Sequence, residues 1–167
     1  MRTAPQIRTA AIAALGGLIL FSSAALAQEP QAIGTFGKWT AYSLKGKNGT
    51  ECYIASKPIE TEPKNVRRDP VHFLVTHKSM VNTIIGYNFK KNSEASLTID
   101  SANFTMITDG DGAWLDTTQK DRKAVLAMKR GNKMSVRGTS WRGTKTRDTY
   151  SLDGVTAAMK AIAEACK

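Results

Sequence analysis

The chain has 167 residues, 41% of them hydrophobic and 23% charged, with a formal net charge of +10, two cysteines and two histidines. That size and balance fit one domain that buries a core without several disulfide staples. With no C-x-x-C, and neither cysteine at a predicted helix N-terminus, a catalytic thiol pair is disfavoured.

The first 27 residues read as a leader. Arg2 and Arg8 supply a positive start, and Thr9 to Phe21 forms an apolar run. Ala25-Leu26-Ala27 then closes the segment as a small-x-small cleavage site. The apolar run is roughly half the length a membrane-spanning helix needs. Residues 1–27 are therefore expected to be a signal peptide cleaved after Ala27, with an uncleaved anchor as the alternative. The mature chain would be periplasmic or secreted and not membrane-spanning. Residues 1–27 hold no acid, so cleavage lowers the net charge from +10 to +8.

Residues 28–35 are short, polar and interrupted by Pro30 and Gly34, and are expected to be a flexible arm. The domain is expected to span 36–167. Trp39 to Leu44 alternates as a strand, turns through Asn48-Gly49, and returns as Thr50 to Ser56 with Cys52 and Ile54 on one face. Pro58, Pro63 and Pro70 make Lys57 to Pro70 a loop. Further strands are expected at Val71 to His77, Thr83 to Phe89, Ala95 to Ile99 and Ala102 to Ile107. Gly86 within the second of these marks a bulge or a close approach of another group. Thr108 to Gly112 is a tight turn. Thr118 to Arg130 reads as a helix ending at Gly131. Met134 to Gly138 and Thr149 to Leu152 are the last strands, with a turn over Ser140 to Thr146. Asp153 is expected to cap a final amphipathic helix whose stripe is Val155, Met159, Ile162 and Cys166. Short strands joined by tight turns make the fold mainly β: an antiparallel β-sandwich, or a curled antiparallel sheet, with two added α-helices. The sandwich is the expectation carried forward.

Two cysteines in an exported chain predict a Cys52–Cys166 disulfide, the alternative being two unpaired thiols. Asp109, Asp111 and Asp116 resemble a calcium-loop fragment, but the twelfth position is Lys120 where a bidentate Glu is needed, so a turn is preferred and no metal is expected. His72 and His77 lie five apart on a strand and face opposite sides, which gives neither a shared metal nor a Ser-His-Asp set. A hydrolase would need one of them to meet a carboxylate and a nucleophile. Trp39 and Trp114 are expected in the core. Basic residues crowd three places: Lys64, Arg67 and Arg68; Lys120, Arg122, Lys123, Lys129 and Arg130; and Arg137, Arg142, Lys145 and Arg147 around an exposed Trp141. They are either a solvated face or an anion site for phosphate, acidic sugar or lipopolysaccharide. Nucleic acid is not an expected partner of an exported protein.

Several motifs carry a family resemblance. They are Phe36-Gly37-Lys38-Trp39, Cys52-Tyr53, Phe104 to Trp114 (FTMITDGDGAW), Ala127 to Gly131 (AMKRG), Met134 to Ser140 (MSVRGTS), Arg142-Gly143-Thr144, Asp148 to Gly154 (DTYSLDG) and the alanine-rich end with Cys166. In this order they resemble the invasion-associated locus B (IalB) family of alphaproteobacteria, over nearly all of 34–166. The resemblance implies export to the periplasm or outer envelope and a virulence-related role named for host-cell invasion. It implies no enzymatic activity, catalytic residue or cofactor. The expected function is binding of an anionic envelope or host-surface component through Trp141, Arg142, Lys145 and Arg147. The alternative is a structural envelope protein acting through protein partners.

Overall fold

The computed structural model describes residues 29–47 and 49–167. The expected signal peptide, Gln28 and Asn48 lie outside the described residues. Eleven strands and two helices follow in order: β1 (Gln31–Phe36), β2 (Trp39–Gly46), β3 (Gly49–Ser56), β4 (Glu60–Glu62), β5 (His72–Thr76), β6 (Val81–Ile84), β7 (Ala95–Ile99), β8 (Ala102–Asp109), β9 (Gly112–Trp114), α1 (Thr118–Arg130), β10 (Lys133–Thr139), β11 (Lys145–Ser151) and α2 (Val155–Ala165). The fold is mainly β, and the described strand pairs are antiparallel.

The sandwich expectation needs correction. Hydrogen bonds join all eleven strands into one sheet, in the order β1-β2-β3-β5-β6-β9-β8-β7-β10-β11-β4. The link is β8, whose N-terminal half pairs with β7 while its C-terminal half pairs with β9. One long strand shared by two neighbours keeps the ladder continuous, so the sheet curls instead of splitting. The curl brings inner faces together. Phe73 of β5 packs on Tyr150 of β11 with ring centroids 5.6 Å apart, and the Trp39 indole Nε1 donates to the Ser151 carbonyl at 3.0 Å. Period-2 alternation places Trp39, Ala41, Cys52, Ile54, Phe73 and Val75 inside from one half, and Leu97, Ile99, Met134, Val136 and Tyr150 from the other.

Residues 31–35, expected within a flexible arm, form an edge strand together with Phe36. A two-residue turn at Gly37-Lys38 folds Phe36 back against Trp39 and sets the register. Trp114 is not a core residue. Ala113 takes the inward position on β9, so the indole stands on the outer face beside Ile107 on β8. The strand expected over Thr83 to Phe89 stops at Ile84, because Gly86 adopts φ +76° and a Cβ there would overlap the Asp69 carbonyl oxygen. The expected close approach at Gly86 is this backbone contact.

Helix α1 has the expected bounds. Thr117 Oγ1 accepts from the Lys120 N–H at 3.3 Å as its N-cap, and Asp121 turns inward to accept from the Val81 N–H at 3.0 Å. Burial pushes the Asp121 carboxyl above its ordinary pKa, partly offset by that hydrogen bond. Helix α2 lies across β1, β2 and β3 and buries Val155, Ala158, Met159 and Ile162. Its N-cap is Gly154, at φ +89°, and not Asp153, which makes no side-chain cap. A Cβ at Gly154 would run into the Phe36 carbonyl, while the Asp153 carbonyl accepts from Lys38 N–H at 3.1 Å. The chain enters α2 through a close pass over the β1–β2 turn, a route only glycine allows. At the other end of α2, Cys166 is bonded to Cys52, closing a separation of 114 residues. No helix among the described residues is long and apolar enough to cross a membrane.

Candidate functional site

The β10–β11 hairpin is a tight loop around Trp141. Ser140 N–H donates to the Thr144 carbonyl at 2.9 Å, Gly143 N–H returns to the Ser140 carbonyl at 2.8 Å, and Gly143 supplies φ +86°. The loop is also pinned from outside. Trp141 N–H donates to Asn88 O at 2.9 Å, and Lys90 N–H to Thr139 O at 2.9 Å. With its backbone held on both sides, the Trp141 side chain projects outward, 61% exposed. The Arg142 guanidinium carbon lies 4.7 Å from the indole centroid, a cation–π stack.

Trp141 and Arg142 form one wall of an open cleft of about 510 Å³. The opposite wall is the segment Asn65 to Asp69, and hydroxyls of Tyr87, Ser140, Thr144 and Thr146 line the space between. The Tyr87 hydroxyl and Thr146 Oγ1 are 2.6 Å apart, and burial raises the Tyr87 phenol above its usual pKa. Arg67, Asp69 and Arg142 stand exposed on the rim.

Beneath this cleft lies a buried ion pair that the sequence did not reveal. Arg68, grouped by sequence with the surface cations Lys64 and Arg67, turns inward and engages Asp148 of β11 with both terminal nitrogens. The Arg68 side chain is 9% exposed and the Asp148 side chain 0%. Burial pushes the Asp148 carboxyl upward against the opposing pull of Arg68. The positive charge of Arg68 is thus spent inside the protein, and Arg67 and Arg142 are the cations the cleft presents. Strict alternation along Lys145 to Ser151 is the signal that would have found Asp148, since it falls on the inner face with Thr146 and Tyr150. Beside it the buried Tyr150 hydroxyl makes no hydrogen bond of ordinary geometry among the described residues, and burial drives its pKa up against the weaker opposing pull of the nearby Thr83 side chain and Arg68.

The four expected contact residues do not gather in one place. Trp141 and Arg142 share the cleft. Lys145 and Arg147 project from the opposite face of β11, where they line a shallow depression of about 410 Å³ with Arg137. Arg147 is engaged there by Glu62, with Nη2 to Oε2 at 2.6 Å and Nε to Oε2 at 2.8 Å. Lys145 is exposed and lies opposite Thr139. His72 sits on the outer face of β5 and His77 just beyond its end, with Nδ1 3.6 Å from Glu51 Oε2. Among the described residues no three His, Cys, Asp or Glu side chains gather to hold a metal. The Asp109–Asp111 turn has backbone work: the Gly110 and Asp111 carbonyls accept from Phe89 and Ile85.

A single curled antiparallel sheet, closed by a terminal helix and one long-range disulfide, with a Trp–Arg hairpin over an open cleft, defines a small, mainly β domain. The family model described as Invasion associated locus B (IalB) protein matches residues 39–163, so the chain belongs to the IalB family. Among solved structures it is similar to invasion associated protein B of Bartonella henselae, with a TM-score of 0.56 and 14% identity over 81% of this chain and 96% of that one. That likeness is one of fold. No curated protein sequence matches the chain.

Proposed function

We propose that this protein is an exported, non-enzymatic component of the bacterial envelope that binds an acidic saccharide, of envelope or host surface, in the cleft under Trp141. The observation that carries the proposal is the Trp141–Arg142 stack lining one cleft together with Arg67 and several hydroxyl-bearing side chains. An aromatic face takes a sugar ring, the two guanidiniums take carboxylate or phosphate, and the hydroxyls take ring oxygens. Export accords with the leader-like sequence of residues 1–27 and with a disulfide, which persists in oxidising compartments. Lys145, on the other sheet face, adds long-range attraction, screened by salt over about 8–10 Å, while the charge of Arg147 beside it is largely compensated by Glu62. No cofactor takes part.

The test is binding of the mature protein to lipopolysaccharide and to acidic polysaccharide across a salt series. Trp141→Ala with Arg142→Gln should weaken binding at every salt concentration. Lys145→Gln with Arg147→Gln should weaken it only at low salt. Equal binding by wild type and the Trp141/Arg142 variant removes the proposal. A protein partner is the second reading, favoured by Ile84, Trp114 and Ile107, which neighbour one another on the outer face of β6, β9 and β8 and are each more than a third exposed. Stoichiometric crosslinking of one envelope protein, lost in Trp114→Ser and kept in the cleft variant, would favour it.

A further inference from the structure

A second cavity, of about 510 Å³, lies on the outer face of β1, β2 and β3 and shares no lining residue with the Trp141 cleft. Its size falls in the range of small-molecule sites. Lys38, Lys57 and His72 all line it, and among the described residues no carboxylate does. Neither lysine belongs to an ion pair among the described residues. The three side chains share this one cavity, and the Lys57 charge adds to desolvation in lowering the His72 pKa. Hydroxyls stand beside the cations, with Thr35 Oγ1 and Thr40 Oγ1 3.3 Å apart. One wall is apolar and fixed. The Tyr42 ring is stacked on Tyr53 at 5.2 Å and 22°, and Ile59 is held in place by its N–H donating to Thr149 O at 2.8 Å.

We propose that this cavity binds a small organic phosphate, a phosphomonoester carrying an aromatic or compact apolar group. A phosphomonoester carries about −1.5 to −2 at neutral pH, which two ammonium groups neutralise. Lysine meets phosphate as a point charge from any direction, so a wide cavity needs no fork geometry. Tyr42 and Ile59 cover the apolar group.

The experiment follows the imidazole resonances of both histidines in the mature, oxidised protein as phenyl phosphate is added. His77, beside Glu51 beyond the far end of β5, is the internal reference. The expected result is a saturable movement of His72 alone, absent with benzyl alcohol and weaker with inorganic phosphate. Lys38→Gln with Lys57→Gln should weaken binding at least about tenfold, the scale of losing charge-assisted contacts. Both lysines are exposed, so the variant keeps the fold. Trp141→Ala with Arg142→Gln should leave this titration unchanged, which separates the outcome from that of the saccharide cleft. An unmoved His72, equal movement of His77, or undiminished binding by the lysine variant overturns the proposal. Inorganic phosphate binding as tightly as phenyl phosphate overturns it too.

Discussion

Replacing Arg68 with methionine tests the buried ion pair. The change removes a charge and keeps much of the aliphatic stem. It leaves the Asp148 carboxylate, fully buried, without its partner. Breaking one side of a buried pair costs about 3–5 kcal/mol, because the remaining charge is desolvated and uncompensated. Against a total stability of about 5–15 kcal/mol for a domain this is a large loss, equivalent to about 10–17 °C in Tm for a domain of this length. Its pH dependence is specific. Burial already holds the Asp148 pKa above its ordinary value, with Arg68 opposing the rise. Without Arg68 the folded-state pKa climbs further while the unfolded value stays put. Between those two values the native variant binds more protons than the unfolded chain, so its stability falls as pH rises through the window. Urea unfolding at pH 5 and pH 8 should therefore show a smaller penalty at pH 5. The double variant Arg68→Met with Asp148→Leu should recover most of the loss, since an apolar pair replaces the charges. A penalty under about 1 kcal/mol, or one equal at both pH values with no recovery in the double variant, would refute a buried charge pair here.

Cys166→Ser with Cys52→Ser should lower stability by about 5 kcal/mol on the chain-entropy account of a loop over a hundred residues long, read by urea unfolding without reductant; thiol titration of the folded wild type should find no free thiol. Gly154→Ala should destabilise by more than the 1 kcal/mol or so of an ordinary αL substitution, because its Cβ meets the Phe36 carbonyl, and thermal unfolding will show it. Asp153→Ala should cost less than about 0.5 kcal/mol, since that side chain caps nothing, whereas Thr117→Ala should cost about 1 kcal/mol as a lost N-cap. Chemical denaturation of the two variants side by side separates an effective cap from a nominal one.

What the sequence made legible was local. The apolar spacing of Val155, Met159 and Ile162 gave α2, and Gly131 marked the end of α1, although its backbone is extended at φ −90° and the glycine is there to clear Asp100 and Leu152. Two cysteines in a chain with a leader-like start were enough to pair Cys52 with Cys166. Misreadings arose where a residue's fate depends on a distant one. Asp153 has the chemistry of a cap, but the Phe36 carbonyl decides how the chain enters α2. Arg68 has the look of a surface cation, but Asp148, 80 residues on, draws it inside. Short edge strands were the other failure. Strand β1 is mostly exposed and its register shifts between Ala32 and Gly34, and β4 is three residues long amid prolines, so neither carries a period, and each exists because a neighbour offers an open edge. At the site, Trp141 was legible as exposed and Arg142 as its companion. The separation of Lys145 and Arg147 onto the other face follows from alternation along β11, which treating the region as a turn had concealed.

The segment from Lys57 to Pro70 ties these observations together. It is fastened to β11 at three levels: Ile59 N–H on the Thr149 carbonyl, β4 paired with Arg147 to Thr149, and Arg68 on Asp148. One end of this strap supplies Ile59 to the phosphate-sized cavity, and the other supplies Asn65 to Asp69 to the saccharide cleft. A wall held this way is already in position before a ligand arrives, so binding need not order it. Arg68→Met, which changes no side chain proposed to contact either ligand, should therefore weaken saccharide binding through a loosened wall. It should affect phenyl phosphate binding less, because Ile59 and β4 keep their own bonds to β11. The opposite ranking would mean that the strap moves as one piece and that Arg68, more than the β4 pairing, is what holds it.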